Sequence, residues 1–253
     1  MAYQYARLGA KILITARREN RLKEVIAKAK SLGAAEAHYV TGDMGKPADC
    51  ERTIQTAKEK FGRLDYLVLN HVGSSFGSIN KWAEALQFWE DNPDMEFFVD
   101  FLNINMISYV RLASLALPLL REGNGHIVVM SSYAAKIPNL YYSLASAVQF
   151  ALDGFFSTLR AELMKADRNV SVTIAVLGMV HTEGTERMLK KIEGGEAMLA
   201  MAAPVNETAQ TIIRGAATRT REIYYPFYSW PVSNIRRLPT FLEDYLVLDL
   251  LAM

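Results

Sequence analysis

Two consecutive arginines, Arg17 and Arg18, follow a run of aliphatic and β-branched residues at 11–15 and end the first predicted strand. In a nucleotide-binding α/β sheet this position faces the adenosine ribose. An acidic side chain there accepts the 2′-hydroxyl of NAD, whereas an arginine accommodates the 2′-phosphate of NADP. The pair therefore favours NADP. The alternative is a solvated start of a helix, because arginine is also common at strand ends.

Further polar residues follow the next two predicted strands. Asp43 and Met44 come after the second strand, and Asn70 and His71 come after the third. Ligands bind at the carboxyl edge of open α/β sheets, so these positions point to one shared site. His71 lacks a carboxylate or a second histidine at ligand spacing, and we expect it to position backbone rather than to act as a base or metal ligand. The other histidines are scattered along the chain: His38, His126 and His181. No metal site is predicted.

The elements that position these residues alternate between short strands and longer amphipathic helices. Five runs are apolar on both faces, as buried parallel strands are: 11–15, 37–40, 66–69, 126–130 and 172–176. Helical periodicity is found at 19–32, 47–61, 98–121, 144–165 and 206–218, and a weaker strand follows at 223–225. The alternation predicts an α/β fold with a doubly wound parallel sheet.

Composition narrows the classes of function. The 253 residues are 51% hydrophobic and 22% charged, which suits a globular domain. The formal net charge is +1, so no basic field favours nucleic acid as a partner. The single cysteine excludes an internal disulfide and a cysteine-based zinc site. No uninterrupted apolar stretch reaches the roughly 18 residues of a membrane span, and no signal-peptide layout is predicted.

Two stretches depart from the alternation. Residues 74–97, with Trp82 and Trp89, form a long predicted insertion between a strand and a helix. An apolar and aromatic C-terminal arm at 226–253, with a basic pair at 236–237, follows a predicted domain at 1–225. The arm is interpreted either as a packed terminal segment or dimer surface, or as a helix that lies on a membrane surface.

Several runs together resemble the short-chain dehydrogenase/reductase family, in particular its 11-beta-hydroxysteroid dehydrogenase branch. These runs are Leu-Asn-His at 69–71, Val-Met-Ser-Ser at 129–132, Phe-Ala-Leu-Asp-Gly-Phe-Phe at 150–156, Asn-Val-Ser at 169–171 and Val-Leu-Gly at 176–178. The resemblance implies a Rossmann-like fold and NADP-linked oxidation or reduction of a lipophilic, steroid-like alcohol or ketone. It also implies a homodimer that forms through the last helices.

The resemblance assigns cofactor contacts residue by residue. Arg17 and Arg18 match the positions that hold the 2′-phosphate of NADP. Asp43 and Met44 match the residues that frame the adenine, and Asn70 matches a contact to the ribose region of the cofactor.

The resemblance also assigns the reacting end of the site. Asn105 matches the structural asparagine of the catalytic tetrad, and Ser132 matches the serine that hydrogen-bonds the substrate oxygen. The loop that covers the nicotinamide matches four residues here: Leu177, Gly178, Val180 and Thr182. Residues 183–203 are then expected to form a mobile substrate lid, whose methionines suit an adaptable apolar pocket.

The chain departs from the family at its catalytic pair. The family carries Tyr-x-x-x-Lys on the helix after the serine, where the lysine charge lowers the tyrosine pKa. Counting from both flanking runs places Ala145 and Gln149 at these positions. Gln149 can bond a ribose, but Ala145 has no proton to transfer. Tyr142, one helical turn earlier, is the candidate substitute acid. We therefore expect either an impaired enzyme or a catalytically silent binding protein.

The first residues resemble the second half of the helix that follows the family's glycine-rich phosphate loop. The central strand and that loop are then expected to be missing, which makes cofactor binding weak. Their loss would leave the two neighbouring strands unpaired or force them together. The family resemblance implies the endoplasmic reticulum as the location of intact relatives, and the cytoplasm if this chain begins at Met1.

Overall fold

The computed structural model describes residues 1–75, 88–91, 93–190 and 194–250, without the side chains of 249 and 250. The predicted strands are present, in most cases one or two residues longer than predicted. The strands of the structure are β1 (Lys11–Ala16), β2 (Glu36–Thr41), β3 (Tyr66–Leu69), β4 (His126–Ser132), β5 (Ser171–Leu177), β6 (Val180–His181), β7 (Ala203–Pro204) and β8 (Glu222–Tyr225). The short β6 and β7 were not predicted from the sequence.

Helices alternate with these strands. Those that flank the strands are α1 (Ala2–Arg7), α2 (Glu19–Ser31), α3 (Pro47–Phe61), α4 (Met95–Leu102), α5 (Ser108–Glu122), α6 (Ser143–Lys165) and α9 (Val205–Ala217). A π-helical segment at Asn103–Ile107 joins α4 to α5, and a 3₁₀ helix at Tyr133–Ala135 follows β4. The shorter helices are α7 (Glu183–Leu189), α8 (Gly195–Ala200), α10 (Ser229–Ser233) and α11 (Thr240–Tyr245), with 3₁₀ helices at Trp89–Asp91 and Ile235–Arg237 and a π-helical turn at Leu246–Leu250.

The main strands pair in parallel, which confirms the predicted α/β fold with Rossmann-like parallel sheets. One sheet has the order β3-β4-β5-β8, and β1 pairs with β2 in a second. Within the described residues, β1 and β3 are not hydrogen-bonded to each other. A cavity lined by both strands lies between them. Of the two expected outcomes, the strands are therefore left apart rather than forced together.

The core lies between the larger sheet and the helices α4 to α6. The sheet contributes fully buried side chains to this core, among them Ile127 and Val129 of β4 and Val172 of β5. Valine and isoleucine suit this place because β-branched side chains pack well on a pleated surface that is buried on both faces. The polar residues at the carboxyl ends of these strands are therefore held in place by the buried sheet.

The helix of α4, the π-helical segment and α5 begins at Met95, three residues before the predicted start. The Asp94 side chain accepts a hydrogen bond from the backbone of Phe97 at 2.9 Å and caps the helix there. The whole helix, Met95–Glu122, is long and apolar enough to span a membrane by length and composition, although Asp100 and Arg111 interrupt its apolar sequence. One face of this helix is buried in the core, and Phe101 lies on that face. Trp82 of the predicted insertion lies outside the described residues.

Candidate active site

One cavity of about 2020 Å³ opens at the carboxyl ends of the strands and continues between β1 and β3. It brings together most of the residues that the sequence marks for a site. They are Arg17, Arg18, Asp43, Met44, Asn70, His71, Ser132, Tyr142, Ala145, Gln149, Leu177, Gly178, Val180 and Thr182. Asn105 is the exception and does not line the cavity.

Asn105 instead holds the backbone beneath the cavity wall. It is buried, with 4% of its surface exposed, in the π-helical segment. Its Oδ1 accepts from the backbone N–H of Gly73 at 2.9 Å, and its Nδ2 donates to the carbonyls of Gly73 at 2.8 Å and Phe101 at 2.7 Å. The π-helical segment thus anchors the loop that follows β3. Such one-turn π-bulges are frequent at functional sites.

His71 is fixed in the same loop. Its Nε2 lies 2.6 Å from Ser108 Oγ and 3.1 Å from the carbonyl of Ile104, and Tyr109 donates to the His71 carbonyl at 2.7 Å. Burial lowers the pKa of His71 to about 4, so the imidazole is neutral near pH 7. These contacts suit the predicted role in positioning backbone.

The arginine end of the cavity is linked to this loop. Arg17 Nη1 donates to the Ser74 carbonyl at 3.0 Å, which ties the end of β1 to the loop after β3. Arg18 is exposed at the start of α2. Both arginines thus line the cavity where β1 ends and α2 begins, which is the end of the cavity expected to take the 2′-phosphate.

The loop after β2 forms the floor beside the arginines. Asp43 Oδ1 accepts from the backbone of Gly45 at 3.0 Å, and the Asp43 backbone donates to Asp49 at 2.7 Å. That backbone hydrogen bond holds the pKa of Asp49 below its usual value. Met44 is only 5% exposed and packs in the core beside Cys50, so little of it remains to frame a base.

The reacting end is built from β4 and α6. Ser132 ends β4, and its Oγ accepts from the backbone of Ala134 at 3.2 Å. The Tyr142 carbonyl accepts the first α6 hydrogen bond from Ser146 at 2.7 Å. Positions 142, 145 and 149 are spaced i, i+3, i+7 and share one helix face. That face lines the cavity together with Ser132.

Three polar atoms in this wall are buried without a hydrogen-bond partner among the described residues. They are Asn139 Nδ2, Gln149 Oε1 and Ser131 Oγ. An unpaired buried donor or acceptor costs about 1–3 kcal/mol. Ligand hydroxyl, amide and carbonyl groups would satisfy them, and a ribose hydroxyl suits Gln149 Oε1. The residues therefore fit a nicotinamide dinucleotide, with arginines at one end and polar atoms at the other.

Tyr133 lines the cavity and Tyr228 packs behind it against Gly178 and Met179, although the sequence did not single them out. Burial raises the pKa of Tyr133 to about 12, with smaller contributions from the nearby phenols of Tyr142 and Tyr228. Tyr228 accepts from the backbone of Met179 at 2.9 Å. A Cβ at Gly178 would lie 2.6 Å from the Tyr228 hydroxyl, so a larger residue there would displace the Tyr228 side chain. Tyr133 could have been found because it directly follows Ser132.

Lys136 lies four residues after Ser132 but does not line the cavity. Its Nζ bonds Asp153 at 2.7 Å and Glu222 at 3.2 Å, and all three side chains are largely buried. The ion pairs tie the 3₁₀ helix to α6 and β8. The lysine charge is neutralised there, so it does not replace a cation at Gln149.

Two short helices, α7 and α8, lie within the predicted lid at 183–203; residues 191–193 lie outside the described residues. Thr182 caps α7 by accepting from the backbone of Thr185 at 3.1 Å. Val180 pairs with Ala203, which closes the base of the segment. Mobility of the lid stays a prediction.

Known proteins resemble this chain in sequence and fold. The model of the short chain dehydrogenase family matches residues 1–193. The chain is 43% identical over 235 residues to a hydroxysteroid 11-beta-dehydrogenase 1-like protein of Gallus gallus, covering 93% of this chain and 76% of the relative. It is 39% identical to the protein of the same name from Danio rerio, covering 96% of this chain and 79% of that protein.

Solved structures share the fold at lower identity. The L-sorbose reductase of Gluconobacter frateurii, complexed with NADPH and L-sorbose, superposes with a TM-score of 0.74 at 22% identity, over 88% of each chain. The alcohol dehydrogenase of Thermococcus sibiricus, complexed with 5-hydroxy-NADP, gives a TM-score of 0.68 at 18% identity, again over 88% of each chain. These likenesses support the fold.

Proposed function

Because the chain belongs to the short-chain dehydrogenase family, we propose that it is an NADP-linked oxidoreductase of a lipophilic, steroid-like alcohol or ketone, with impaired turnover. The observation that carries the proposal is one cavity that joins Arg17 and Arg18 to Ser132 and the face of α6. A ligand that spans it reaches phosphate-binding groups at one end and a hydroxyl at the other.

Preference for NADP over NAD follows from the charge at the end of β1. Two guanidinium groups suit a 2′-phosphate, because arginine forms paired, charge-assisted hydrogen bonds with phosphate oxygens. In the loop after β2, the Asp43 carboxylate accepts a hydrogen bond from the Gly45 backbone, which fixes its orientation. When bound, the reduced cofactor supplies a hydride for carbonyl reduction.

A lipophilic substrate suits the side of the cavity opposite the arginines. Leu177, Val180 and Met188 line it there. Methionine adapts its shape to irregular apolar ligands. The relatives at 39% and 43% identity bear the name hydroxysteroid 11-beta-dehydrogenase 1-like, which agrees with a fused-ring alcohol or ketone.

Impairment follows from two side chains on α6. Ala145 has no proton to give to a substrate oxygen, and Gln149 has no charge to lower the pKa of a neighbouring acid. General acid–base catalysis contributes about 10²- to 10⁴-fold in rate. Ser132 retains a hydrogen bond to the substrate oxygen but does not replace that contribution.

The direct test is NADPH and NADH oxidation by the purified chain with a panel of lipophilic ketones, together with fluorescence titration of both nucleotides. We expect tighter binding of NADPH than of NADH and a slow turnover that depends on NADPH. Equal binding of the two nucleotides would contradict the role of Arg17 and Arg18. Turnover at the rate of relatives that carry the Tyr–Lys pair would contradict impairment.

A catalytically silent binding protein is the second candidate. It is favoured by the same two substitutions, Ala145 and Gln149, beside polar atoms that a ligand could still satisfy. Binding of both NADPH and a fused-ring ketone with no detectable hydride transfer, even in a single turnover, would identify this function.

We also propose that the C-terminal arm contacts a membrane surface. Phe227, Phe241 and Tyr245 are 86%, 70% and 60% exposed, and Arg237 lies in the same segment. Aromatic side chains beside arginine suit the boundary between headgroups and acyl chains. Sedimentation with phosphatidylcholine vesicles, with and without phosphatidylserine, should show binding that a Phe227→Ser, Phe241→Ser variant loses. Loss of a dimer in that variant, without vesicle binding by the parent, would assign the arm to a homodimer instead.

A further inference from the structure

We infer that the phenol of Tyr142 donates the proton in the residual reaction of this site, and that the reaction runs toward carbonyl reduction. The inference rests on the proposed oxidoreductase function. In the family, a tyrosine at the position of Ala145 contacts the substrate oxygen. The inference gives that contact to Tyr142 instead.

The first support is the shared helix face. Tyr142 lies three residues before Ala145, about 4.5 Å along the axis of α6 at 1.5 Å per residue. Its carbonyl already accepts the hydrogen bond from Ser146 at 2.7 Å, so the helical turn includes this residue. Tyr142, Ala145 and Gln149 line the same cavity. Tyr142 therefore has access to the space above the missing side chain.

Tyr142 directly precedes α6 as its N-cap residue and lines the cavity together with Ala145. A tyrosine at 145 would lean toward the N-terminus of the helix, over the turn that Tyr142 begins. Alanine at 145 carries only a methyl group, so it offers no hydroxyl there. The neighbouring Tyr141 differs, since its ring packs against Phe88 at 4.7 Å between centroids and it does not line the cavity.

The surroundings of Tyr142 favour one direction of reaction. Burial raises the pKa of Tyr142, and the phenol of Tyr133 lies close to it from the 3₁₀ helix. On α6 the next cavity residues are Ala145 and Gln149, which are uncharged. Lys136 is paired with Asp153 and Glu222. The phenol is therefore neutral, which suits a proton donor for reduction, whereas alcohol oxidation needs the phenolate as a base.

The step balances with the reduced nicotinamide as the co-reactant. The carbonyl carbon of the ketone gains a hydride, which carries two electrons, and the carbonyl oxygen gains the hydroxyl proton of Tyr142. The nicotinamide is oxidised, the ketone becomes an alcohol, and the phenolate regains its proton from water. Ser132 holds the oxygen by a hydrogen bond during the transfer.

The experiment compares Tyr142→Phe with Tyr141→Phe, using NADPH and decalone, a fused-ring ketone. We expect Tyr142→Phe to lower kcat by about 10²-fold with a nearly unchanged KM. Tyr141→Phe should stay within about twofold of the parent, because the change is conservative and lies outside the cavity. Equal rates for the parent and Tyr142→Phe would overturn the inference.

A spectroscopic readout separates proton donation from general folding effects. The infrared carbonyl band of bound carbon-13 decalone shifts to lower frequency when a phenol donates to the oxygen. The shift should shrink in Tyr142→Phe and persist in Tyr141→Phe. An identical band in the parent and Tyr142→Phe would contradict the contact even if the rates differ.

The Ala145→Tyr, Gln149→Lys variant distinguishes this inference from the proposed function. Turnover by that variant, with none by the parent, would leave the function standing and reject Tyr142 as the donor. No turnover by either protein would reject the proposed function itself. If the parent and the Ala145→Tyr, Gln149→Lys variant both turn over, adding Tyr142→Phe should abolish turnover in the parent. The same change should have little effect on turnover in the Ala145→Tyr, Gln149→Lys variant.

Discussion

The two ends of the cavity differ in how far their polar groups are already paired. At the arginine end, Arg17 bonds the Ser74 carbonyl, Asp43 bonds the Gly45 backbone, and Asn105 bonds Gly73 on both sides. At the reacting end, Asn139 and Gln149 each keep a buried atom without a partner among the described residues. The polar groups of the arginine end are thus hydrogen-bonded without a ligand, whereas the reacting end has buried polar atoms that a ligand could pair.

This difference separates binding from chemistry. By family resemblance, Arg17 and Asp43 match cofactor positions, and Asn105 matches the structural asparagine of the catalytic tetrad. The reacting end is expected to depart from the family at Ala145 and Gln149. The proposed nucleotide preference and the proposed acid–base chemistry depend on different strands and helices, so one can change without the other.

The largest loss of stability is expected for Asn105→Ala, which removes the anchor of the arginine end. Three hydrogen bonds are lost and the backbone groups of Gly73 are left unpaired, so the free energy of unfolding should fall by about 3–4 kcal/mol. Denaturant titration measures this change. Asn103→Ala, which loses one bond to the Gly45 carbonyl, is the control and should cost about 1 kcal/mol. Equal losses in the two variants would mean that Asn105 has no special role.

His71 should make the same region sensitive to acid. Its pKa is about 4 in the folded chain and about 6.5 when unfolded, so the unfolded state binds more protons between these values. The stabilisation is complete above about pH 6.5 and is lost as the pH falls toward 4, by about 2–3 kcal/mol at pH 4.5. His126, with a pKa also lowered to about 4, adds to the slope. His71→Gln should flatten the dependence of the free energy of unfolding on pH, and an unchanged slope in that variant would contradict the role of His71.

Arg17→Ala tests the nucleotide preference of the arginine end. We expect the NADPH dissociation constant to rise about 10- to 30-fold through loss of a charge-assisted contact, while that of NADH changes by less than about twofold. Arg21→Ala is the control, because Arg21 lies on the exposed face of α2 and pairs with Glu24. Parallel weakening of both nucleotides would point to loop disruption rather than phosphate recognition.

Thr182→Ala is expected to have the smallest effect and to act only at the reacting end. It removes the cap of α7 and should cost about 1 kcal/mol locally, seen as a higher KM for a lipophilic ketone. Thr182→Ser keeps a capping hydroxyl and should restore the KM. An unchanged KM in Thr182→Ala would contradict this role of the cap.

The sheet and its ligand edge could be predicted from the sequence because their signals are local. Strands such as β4 and β5 are apolar on both faces, and polar residues follow them directly, so their carboxyl edge is readable. The short helices of the lid and arm were missed, since α7, α8, α10 and α11 span only one or two turns and carry little periodicity.

The contacts of the site could be predicted only in part. Family resemblance identifies Asn105 as a site residue. Its hydrogen bonds to Gly73 depend on a π-helical segment, which sequence periodicity does not predict. Met44 lines the cavity, and its role beside the adenine stays a prediction; its packing against Cys50 in the core could not be read from the sequence. Tyr228 comes from a distant aromatic stretch, and only the close packing at Gly178 shows that it belongs to the site.

We propose that this cavity keeps the arginine pair for a nucleotide, while Ala145 and Gln149 stand in place of the family's acid–base pair. The most direct test of this claim is kcat for NADPH-dependent ketone reduction by the parent and by Ala145→Tyr, Gln149→Lys, with NADPH affinity measured alongside. We predict a rise in kcat of about 10²-fold or more at similar NADPH affinity. An unchanged kcat in a folded, NADPH-binding variant would contradict the claim.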